Sequence, residues 1–246
     1  MDTLTKEEKE SFDEFKAHYK DHKEKERTSD ATLLRFLIAR QFNVQAAIEM
    51  FDNALEWFAK EQPERLLEKG VAQKLIENQR KKAVWWPEKD NRGRPVMFGF
   101  GARHLAKFPD MEEKVNHAMW CLLSAAERCS AKEGEKSYFI VIADLAGLGM
   151  KNIDYTFFKS MIATLQAYFP EILGGFYICN AGWLFSTVFK VVKPWLDQRT
   201  AAKIHINPSK ETLLELLDED KLPERFGGKA SNDLFEPDPE LEVNQQ

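Results

Sequence analysis

One short segment constrains the fold more than any other: Tyr138 to Ala143, a continuous run of apolar, β-prone residues. Such a run is typical of a strand that is covered on both faces, as strands are inside parallel sheets. Asp144 ends the run, so it is far shorter than the roughly 20 residues that a membrane-spanning helix needs. We therefore expect a central strand here, and we expect any membrane contact to be peripheral.

Segments with strand and helix character alternate around this run. A turn-rich stretch from Asp90 to Pro95 precedes the first predicted strand. The further predicted strands are Val96–Phe100, Phe176–Cys179 and Lys203–Ile206. Helices are predicted at about Met111–Ala131, after a cap at Asp154, and near Phe185–Leu196. This alternation indicates an α/β fold with a mainly parallel sheet and helical crossovers.

The first third of the chain has the pattern of a small helical domain. Thr5 and Glu8 have the spacing of a capping box, and Asn43 is expected to cap a later helix that ends near Pro63. We predict a helical domain over residues 1–75, a larger α/β domain over 76–230, and a loosely ordered acidic tail over 231–246.

Charge and cysteine content narrow the function. The chain has 40 acidic and 35 basic residues, a net charge of −5, which argues against a nucleic-acid-binding protein. Cys121, Cys129 and Cys179 lack the spacing of a zinc site or a disulfide framework, so we expect free thiols in a reducing compartment. Without a recognisable secretory signal, we expect a cytoplasmic monomer.

Motifs with a catalytic mechanism are missing from the sequence. There is no phosphate-binding P-loop, no GxSxG nucleophile turn and no HExxH helix. We therefore expect a protein that is not an enzyme and that needs neither a metal nor a cofactor, while an enzyme with a concealed site remains an alternative.

One predicted helix carries an apolar stripe with two possible roles. Phe185, Val188, Phe189, Val192 and Trp195 fall on one face of this helix. The stripe either packs on the sheet or serves as a lid that contacts an anionic membrane, since Lys190 and Lys193 flank it. Periodicity does not separate these two interpretations.

Several motifs, in order along nearly the whole chain, resemble the CRAL-TRIO family of lipid-binding and lipid-transfer proteins, close to its phosphatidylinositol-transfer branch. The matching stretches are Leu33–Phe42, Asp90–Val96, Ile142–Gly147, Tyr168–Glu171, Phe176–Ala181, Lys193–Asp197, Lys203–Ile204 and Leu222–Gly228. The resemblance implies a helical amino-terminal domain followed by a sheet that floors an apolar lipid cavity, with the Phe185–Leu196 helix as its lid.

The resemblance also implies roles for individual residues. The family's inositol-phosphate contacts map to Arg40, Glu171, Thr200 and Lys203. The side chains expected to line the cavity are Phe139, Val141, Phe158, Ile162 and Tyr177. The expected ligand is a phospholipid, phosphatidylinositol, exchanged during transient contact with a membrane surface.

Two departures from the family pattern bear on the ligand. Gln41 replaces a basic residue, and Phe139 and Val141 replace the hydroxyl side chains that contact phosphatidylcholine in some members. Because neither apolar residue can donate a hydrogen bond to a phosphate, we expect a second lipid that is more apolar than phosphatidylcholine. The predicted function is non-catalytic transfer of phosphatidylinositol and this second lipid. The alternatives are a carrier of a sterol or isoprenoid that docks on phosphoinositide membranes, and a scaffold that binds signalling enzymes through the helical domain.

Overall fold

A computed structural model of the chain describes residues 4–23, 27–79, 81–108, 110–129 and 138–236. The helices are α1 (Lys6–His18), α2 (Asp30–Ala39), α3 (Val44–Glu61), α4 (Lys69–Asn78), α5 (Met111–Cys129), α6 (Tyr155–Tyr168), α7 (Trp183–Val192), α8 (Gln198–Ala202) and α9 (Lys210–Leu214). The strands are β1 (Ala83–Lys89), β2 (Pro95–Phe100), β3 (Phe139–Asp144), β4 (Leu173–Cys179) and β5 (Ile204–Ile206).

The predicted helix starts are confirmed. Thr5 and Glu8 form a reciprocal capping box, in which each side chain accepts a hydrogen bond from the other residue's backbone N–H, at 3.2 Å and 2.8 Å. The side chains of Asn43 and Asp154 each accept a backbone N–H three residues later, both at 3.0 Å. These local hydrogen bonds satisfy amide donors that the first helical turn leaves unpaired.

The strands form one sheet in the order β1-β2-β3-β4-β5, with β2 to β5 parallel and β1 antiparallel to β2. The mainly parallel α/β fold and its four predicted strands are confirmed. The antiparallel edge strand β1 was not predicted, because Pro87 and Glu88 interrupt its apolar pattern.

The two faces of the sheet carry different residues because side chains alternate along a strand. On the first face Met97, Val141 and Phe176 stand side by side on β2, β3 and β4, and α5 packs against this face. On the second face the neighbours are Phe98, Ile142 and Tyr177. The carboxyl-terminal segment covers this face with the side chains of Leu213, Leu216, Leu217, Leu222, Phe226 and Phe235.

Helices α1 to α3 bury their own aromatic core around Phe15, Phe36 and Phe51. The helical part is joined to the sheet part by a stacking contact between Trp57 of α3 and Tyr168 of α6, whose ring centroids lie 4.4 Å apart. Helix α4 runs to Asn78, across the predicted domain boundary at residue 75, and β1 begins at Ala83. The boundary itself stays a prediction.

The prediction of a loose tail from residue 231 is wrong for its first residues. Phe235 is buried on the second face of the sheet, where its ring contacts Trp86, Phe98 and Phe100 at centroid distances of 5.0 to 5.4 Å. Burying a phenylalanine is worth about 1.5–3 kcal/mol, enough to hold a short polar segment in place. The rest of the predicted tail, residues 237–246, lies outside the described residues.

Candidate functional site

The four predicted head-group residues come from distant parts of the chain and line one cleft. Arg40, Glu171, Thr200 and Lys203 all border a cavity of about 560 Å³. Glu171 lies two residues before β4, and Lys203 directly precedes β5. Since β4 and β5 are parallel neighbours, their amino-terminal ends meet at the same edge of the sheet. The cleft therefore lies at this edge, against the end of α2.

Arg40 reaches the cleft because α2 ends there. It is the residue that follows the last helical turn, and the next two residues, Gln41 and Phe42, have φ angles of 51° and 59°. These left-handed conformations turn the chain sharply before α3 begins. The Arg40 side chain is solvent-exposed, and its guanidinium donates to the Ala39 carbonyl at 3.3 Å.

Glu171 forms ion pairs with two basic side chains of the cleft. Its Oε2 accepts a hydrogen bond from the Lys203 Nζ at 2.8 Å, and its Oε1 lies 2.6 Å from the Nε of Arg199. The Glu171 side chain is only 13% exposed, while those of Lys203 and Arg199 are 24% and 56% exposed. Glu171 also has a left-handed backbone, with φ at 53°. A non-glycine residue in this conformation costs of order 1 kcal/mol or more.

The segment between the predicted lid and β5 is fixed by its own hydrogen bonds. Asp197 caps α8 by accepting the Thr200 N–H at 2.9 Å, and its own N–H donates to the Gln166 Oε1 at 2.7 Å. Burial raises the pKa of Asp197, but hydrogen bonds from Thr200 and the Arg199 N–H, together with the Lys203 charge, outweigh burial and hold the pKa below its usual value. Because the Lys203 carbonyl accepts the Phe176 N–H at 2.8 Å, this segment is also tied to β4.

Further polar lining residues that were not predicted include Gln166, Asp197 and Arg199. The last two lie in the same seven-residue stretch as Thr200 and Lys203. Their proximity to Thr200 and Lys203 in the sequence could therefore have indicated that they belong to the site. The contribution of Gln166 depends on how α6 packs beside that stretch, which no local pattern reveals.

The side chains predicted to line an apolar cavity do not share one surface. Phe139 and Val141 are buried on the first face of the sheet, and Phe158 and Ile162 are half-buried on α6. Tyr177 was placed wrongly: it lies on the second face, where its ring stacks on His205 at 4.6 Å. Adjacent strand residues point in opposite directions, so the β4 residue beside Val141 is Phe176. The cleft described above includes none of the five predicted residues.

The predicted lid, Phe185–Leu196, consists of most of α7 and the 3-10 turn Lys193–Trp195 that follows it, and its apolar stripe faces the protein. Val188 is buried, and the stripe residues Phe185, Phe189, Val192 and Trp195 are half-buried. The rings of Phe185 and Phe189 stack at 5.4 Å, and Trp195 makes an edge contact with Tyr155 of α6 at 6.1 Å. The apolar side chains of α7 that face solvent are Trp183, 80% exposed, and Val191, 45% exposed.

Two other features that bear on function are metal ligands and membrane-spanning helices. No group of three or more histidine, cysteine, aspartate or glutamate side chains there is placed to hold a metal ion. Among the same residues, no helix combines the length and apolar character needed to cross a bilayer.

Two models of known protein families match this chain. Residues 79–228 match the family model described as the CRAL/TRIO domain, and residues 11–53 match that of the CRAL/TRIO amino-terminal domain. This chain belongs to the CRAL-TRIO family. The resemblance seen in the sequence motifs is thereby confirmed, and the two matches cover the helical part and the sheet part in that order.

Several curated CRAL-TRIO relatives align over most of the chain. The Sec14 cytosolic factor of Schizosaccharomyces pombe is 34% identical, over 83% of this chain and 76% of the relative. A CRAL-TRIO domain-containing protein of Saccharomyces cerevisiae is 32% identical, over 94% of this chain and 82% of the relative. The phosphatidylinositol transfer protein CSR1 of Eremothecium gossypii is 31% identical, over 81% of this chain but only 47% of that longer protein.

The fold has a counterpart among solved structures. The crystal structure of Sfh5 superposes with a TM-score of 0.73, covering 97% of this chain and 94% of that one. At 17% sequence identity this likeness establishes the fold alone. It confirms the arrangement of amino-terminal helices followed by a mainly parallel sheet.

Proposed function

We propose that this CRAL-TRIO protein binds phosphatidylinositol with its inositol phosphate in the cleft, and transfers it between membranes together with a second, more apolar lipid. The observation that carries the proposal is that Arg40, Glu171, Thr200 and Lys203 line one cleft, although the sequence separates them widely. The relatives named as Sec14 cytosolic factors and as a phosphatidylinositol transfer protein support the same function. We propose the cytosol as its location for the same reason.

The chemistry of the cleft suits a phosphodiester. Lys203 and Arg40 provide positive charge and N–H donors, and charge-assisted hydrogen bonds of this kind are about twice as strong as neutral ones. Glu171 holds Lys203 in place through the 2.8 Å hydrogen bond, so the ammonium does not need to be ordered when the ligand arrives. A preordered cation loses less conformational entropy on binding.

The acyl chains need an apolar path, which we propose lies between the first face of the sheet and α6, beneath α7. Helix α6 is rich in apolar residues, yet none of them is fully buried, so their surface is available to a ligand. Burying each methylene group is worth about 0.8 kcal/mol, so a two-chain lipid is held strongly and released slowly. Displacement of α7 at a membrane surface would open this path and allow exchange.

The second lipid is proposed to be apolar because two side chains of β3 are apolar. Phe139 and Val141 are buried among apolar neighbours and offer no side-chain donor to a phosphate. A phosphatidylcholine head group at this depth would lose its hydrogen bonds to water without replacement, which costs several kcal/mol. Burial of a sterol or an isoprenoid does not have this cost, because neither has a phosphate group.

Transfer of labelled lipids between vesicles tests the proposal. The wild-type protein is expected to transfer phosphatidylinositol but not phosphatidylcholine, and Lys203→Ala is expected to lose phosphatidylinositol transfer. Lys69→Ala, which removes an exposed lysine on α4, is the matched control and should transfer normally. Brisk phosphatidylcholine transfer, or normal phosphatidylinositol transfer by Lys203→Ala, would contradict the proposal. Analysis of the recovered lipids should also find no hydrolysis or phosphoryl-transfer products.

A further inference from the structure

We propose that Arg199 is a further head-group residue, which supplies a third cation beside Arg40 and Lys203, a charge that the neutral side chain of Gln41 does not provide. This inference rests on the proposed function, because it assigns a role toward the same phosphodiester ligand. The ligand class it implies is a lipid whose head group carries one phosphodiester as its only charged group.

The first support is the position of Arg199 relative to Glu171. Arg199 and Lys203 lie one turn apart around α8, and each contacts its own oxygen of the Glu171 carboxylate, at 2.6 Å and 2.8 Å. The ion pair of Arg199 uses the Nε group, while a guanidinium carries four more N–H donors on its two terminal nitrogens. With a side chain 56% exposed, Arg199 is accessible from solvent while it is still held by Glu171. It is therefore placed to contact a phosphate that reaches Lys203.

The second support is the charge of the cleft. Its described lining residues include three cations, Arg40, Arg199 and Lys203, and two carboxylates, Glu171 and Asp197. The surplus of one positive charge matches the single negative charge of a phosphodiester. Without Arg199 the formal charges of these lining residues would sum to zero, so the attraction of the cleft for an anion would be weaker.

The third support is the neighbour of Arg40. Gln41 also lines the cleft, and it is exposed and uncharged. A lysine at this position would add a cation to the same cavity from a different segment of the chain. Positions 41 and 199 can therefore each place a third cation in the cleft, and in this chain only position 199 does so.

Binding to phosphatidylcholine vesicles that contain phosphatidylinositol tests the role of Arg199. Arg199→Ala is expected to bind phosphatidylinositol about tenfold more weakly, with a smaller dependence on salt concentration. The control Arg92→Ala removes an exposed arginine in the turn before β2 and should bind as the wild type does. Vesicles that carry phosphatidylserine in place of phosphatidylinositol report general surface attraction, and there Arg199→Ala should match the wild type.

A rescue variant separates a direct contact from a structural role through Glu171. The double variant Gln41→Lys with Arg199→Ala keeps the Arg199–Glu171 ion pair broken but restores a cation to the cleft, so it is expected to recover most of the binding. Failure of the rescue would overturn the inference, as would unchanged binding by Arg199→Ala. If the wild type itself does not bind phosphatidylinositol, the proposed function fails as well. The two failures are therefore distinguishable.

Discussion

Glu171 and Lys203 are 32 positions apart in sequence, yet the Lys203 ammonium donates to the Glu171 carboxylate at 2.8 Å in the floor of the cleft. This pair joins the turn before β4 to the end of α8. Because Arg199 holds the other carboxylate oxygen, one partly buried acid orders two cations of the cleft. In the proposed function, this carboxylate positions the two cations for an anionic ligand.

The first prediction concerns the contribution of Glu171 to stability. Glu171→Gln keeps the side-chain shape but removes the charge that offsets Lys203 and Arg199. The free energy of unfolding without ligand is expected to fall by about 1–2 kcal/mol, between the values typical of exposed and buried ion pairs. Urea denaturation measures this change. Glu56→Gln, at an exposed site on α3, is the control, and equal stability of the two variants would contradict the prediction.

The second prediction concerns pH and the end of β3. The Asp144 carboxylate accepts hydrogen bonds from the Asn180 side chain at 2.7 Å, the Ala146 N–H at 2.8 Å and the Arg225 Nε at 2.5 Å. Burial raises the pKa of Asp144, but these hydrogen bonds outweigh burial and hold the pKa below its ordinary value of 3.8. The stability contributed by the Asp144 charge is therefore complete at neutral pH and is lost as the pH falls below 3.8.

Comparison of Asp144→Asn with the wild type across a pH series checks this linkage. The wild type is expected to be the more stable protein at neutral pH, and the difference in unfolding free energy should shrink as the pH falls below about 4. Asp13→Asn, at an exposed position on α1, should show little difference at any pH. A difference for Asp144→Asn that stays constant with pH would refute the assignment.

The third prediction concerns two glycines, one in a crowded position and one with open space around it. A Cβ atom at Gly228 would lie 1.9 Å from the Leu222 carbonyl oxygen, so Gly228→Ala must displace the backbone between Leu222 and Gly228. We expect a loss of about 3 kcal/mol or more in unfolding free energy. Gly70 lies in α4 with no atom within 4 Å of such a Cβ, so Gly70→Ala should raise stability by up to about 1 kcal/mol. Calorimetry or urea denaturation of both variants measures the contrast, and equal effects would contradict it.

The fourth prediction concerns membrane contact through α7. Trp183 is 80% exposed at the start of the proposed lid, and tryptophan favours the interface between water and lipid. Trp183→Ala is expected to weaken binding to anionic vesicles several-fold in a flotation assay, while the thermal midpoint stays close to that of the wild type. Val71→Ala removes an exposed apolar side chain from α4 and serves as the control. If both variants bind equally, α7 does not provide the membrane contact.

The parts of the fold predicted well are those that short stretches of sequence determine. The caps at Thr5, Asn43 and Asp154 rest on side chains that bond amides three residues away, and the apolar run of β3 marks a strand covered on both faces. These interactions are local, so the caps and the strand can be predicted without knowing how the rest of the chain folds. The head-group residues were assigned through the family resemblance, and the cleft that gathers them is a property of the folded chain.

The residues whose positions were not predicted are placed by packing between distant segments of the chain. Tyr177 and Phe176 are equally apolar neighbours, and only the register of β4 on β3, which includes an irregularity beside Gly174, decides which one lies next to Val141. Phe235 lies at the start of an acidic stretch, and its burial depends on a space between Trp86, Phe98 and Phe100. Arg199 was overlooked because its importance lies in a contact with Glu171, 28 positions earlier, rather than in a pattern around it.

Native mass spectrometry of the protein purified from a eukaryotic cell, combined with lipid extraction, tests the central claim most directly. In such a cell phosphatidylinositol and phosphatidylcholine are both available to the protein. The account predicts bound phosphatidylinositol without phosphatidylcholine in the wild type, and loss of phosphatidylinositol from Lys203→Ala. A sterol or isoprenoid as the sole bound lipid, unchanged by Lys203→Ala, would contradict the account.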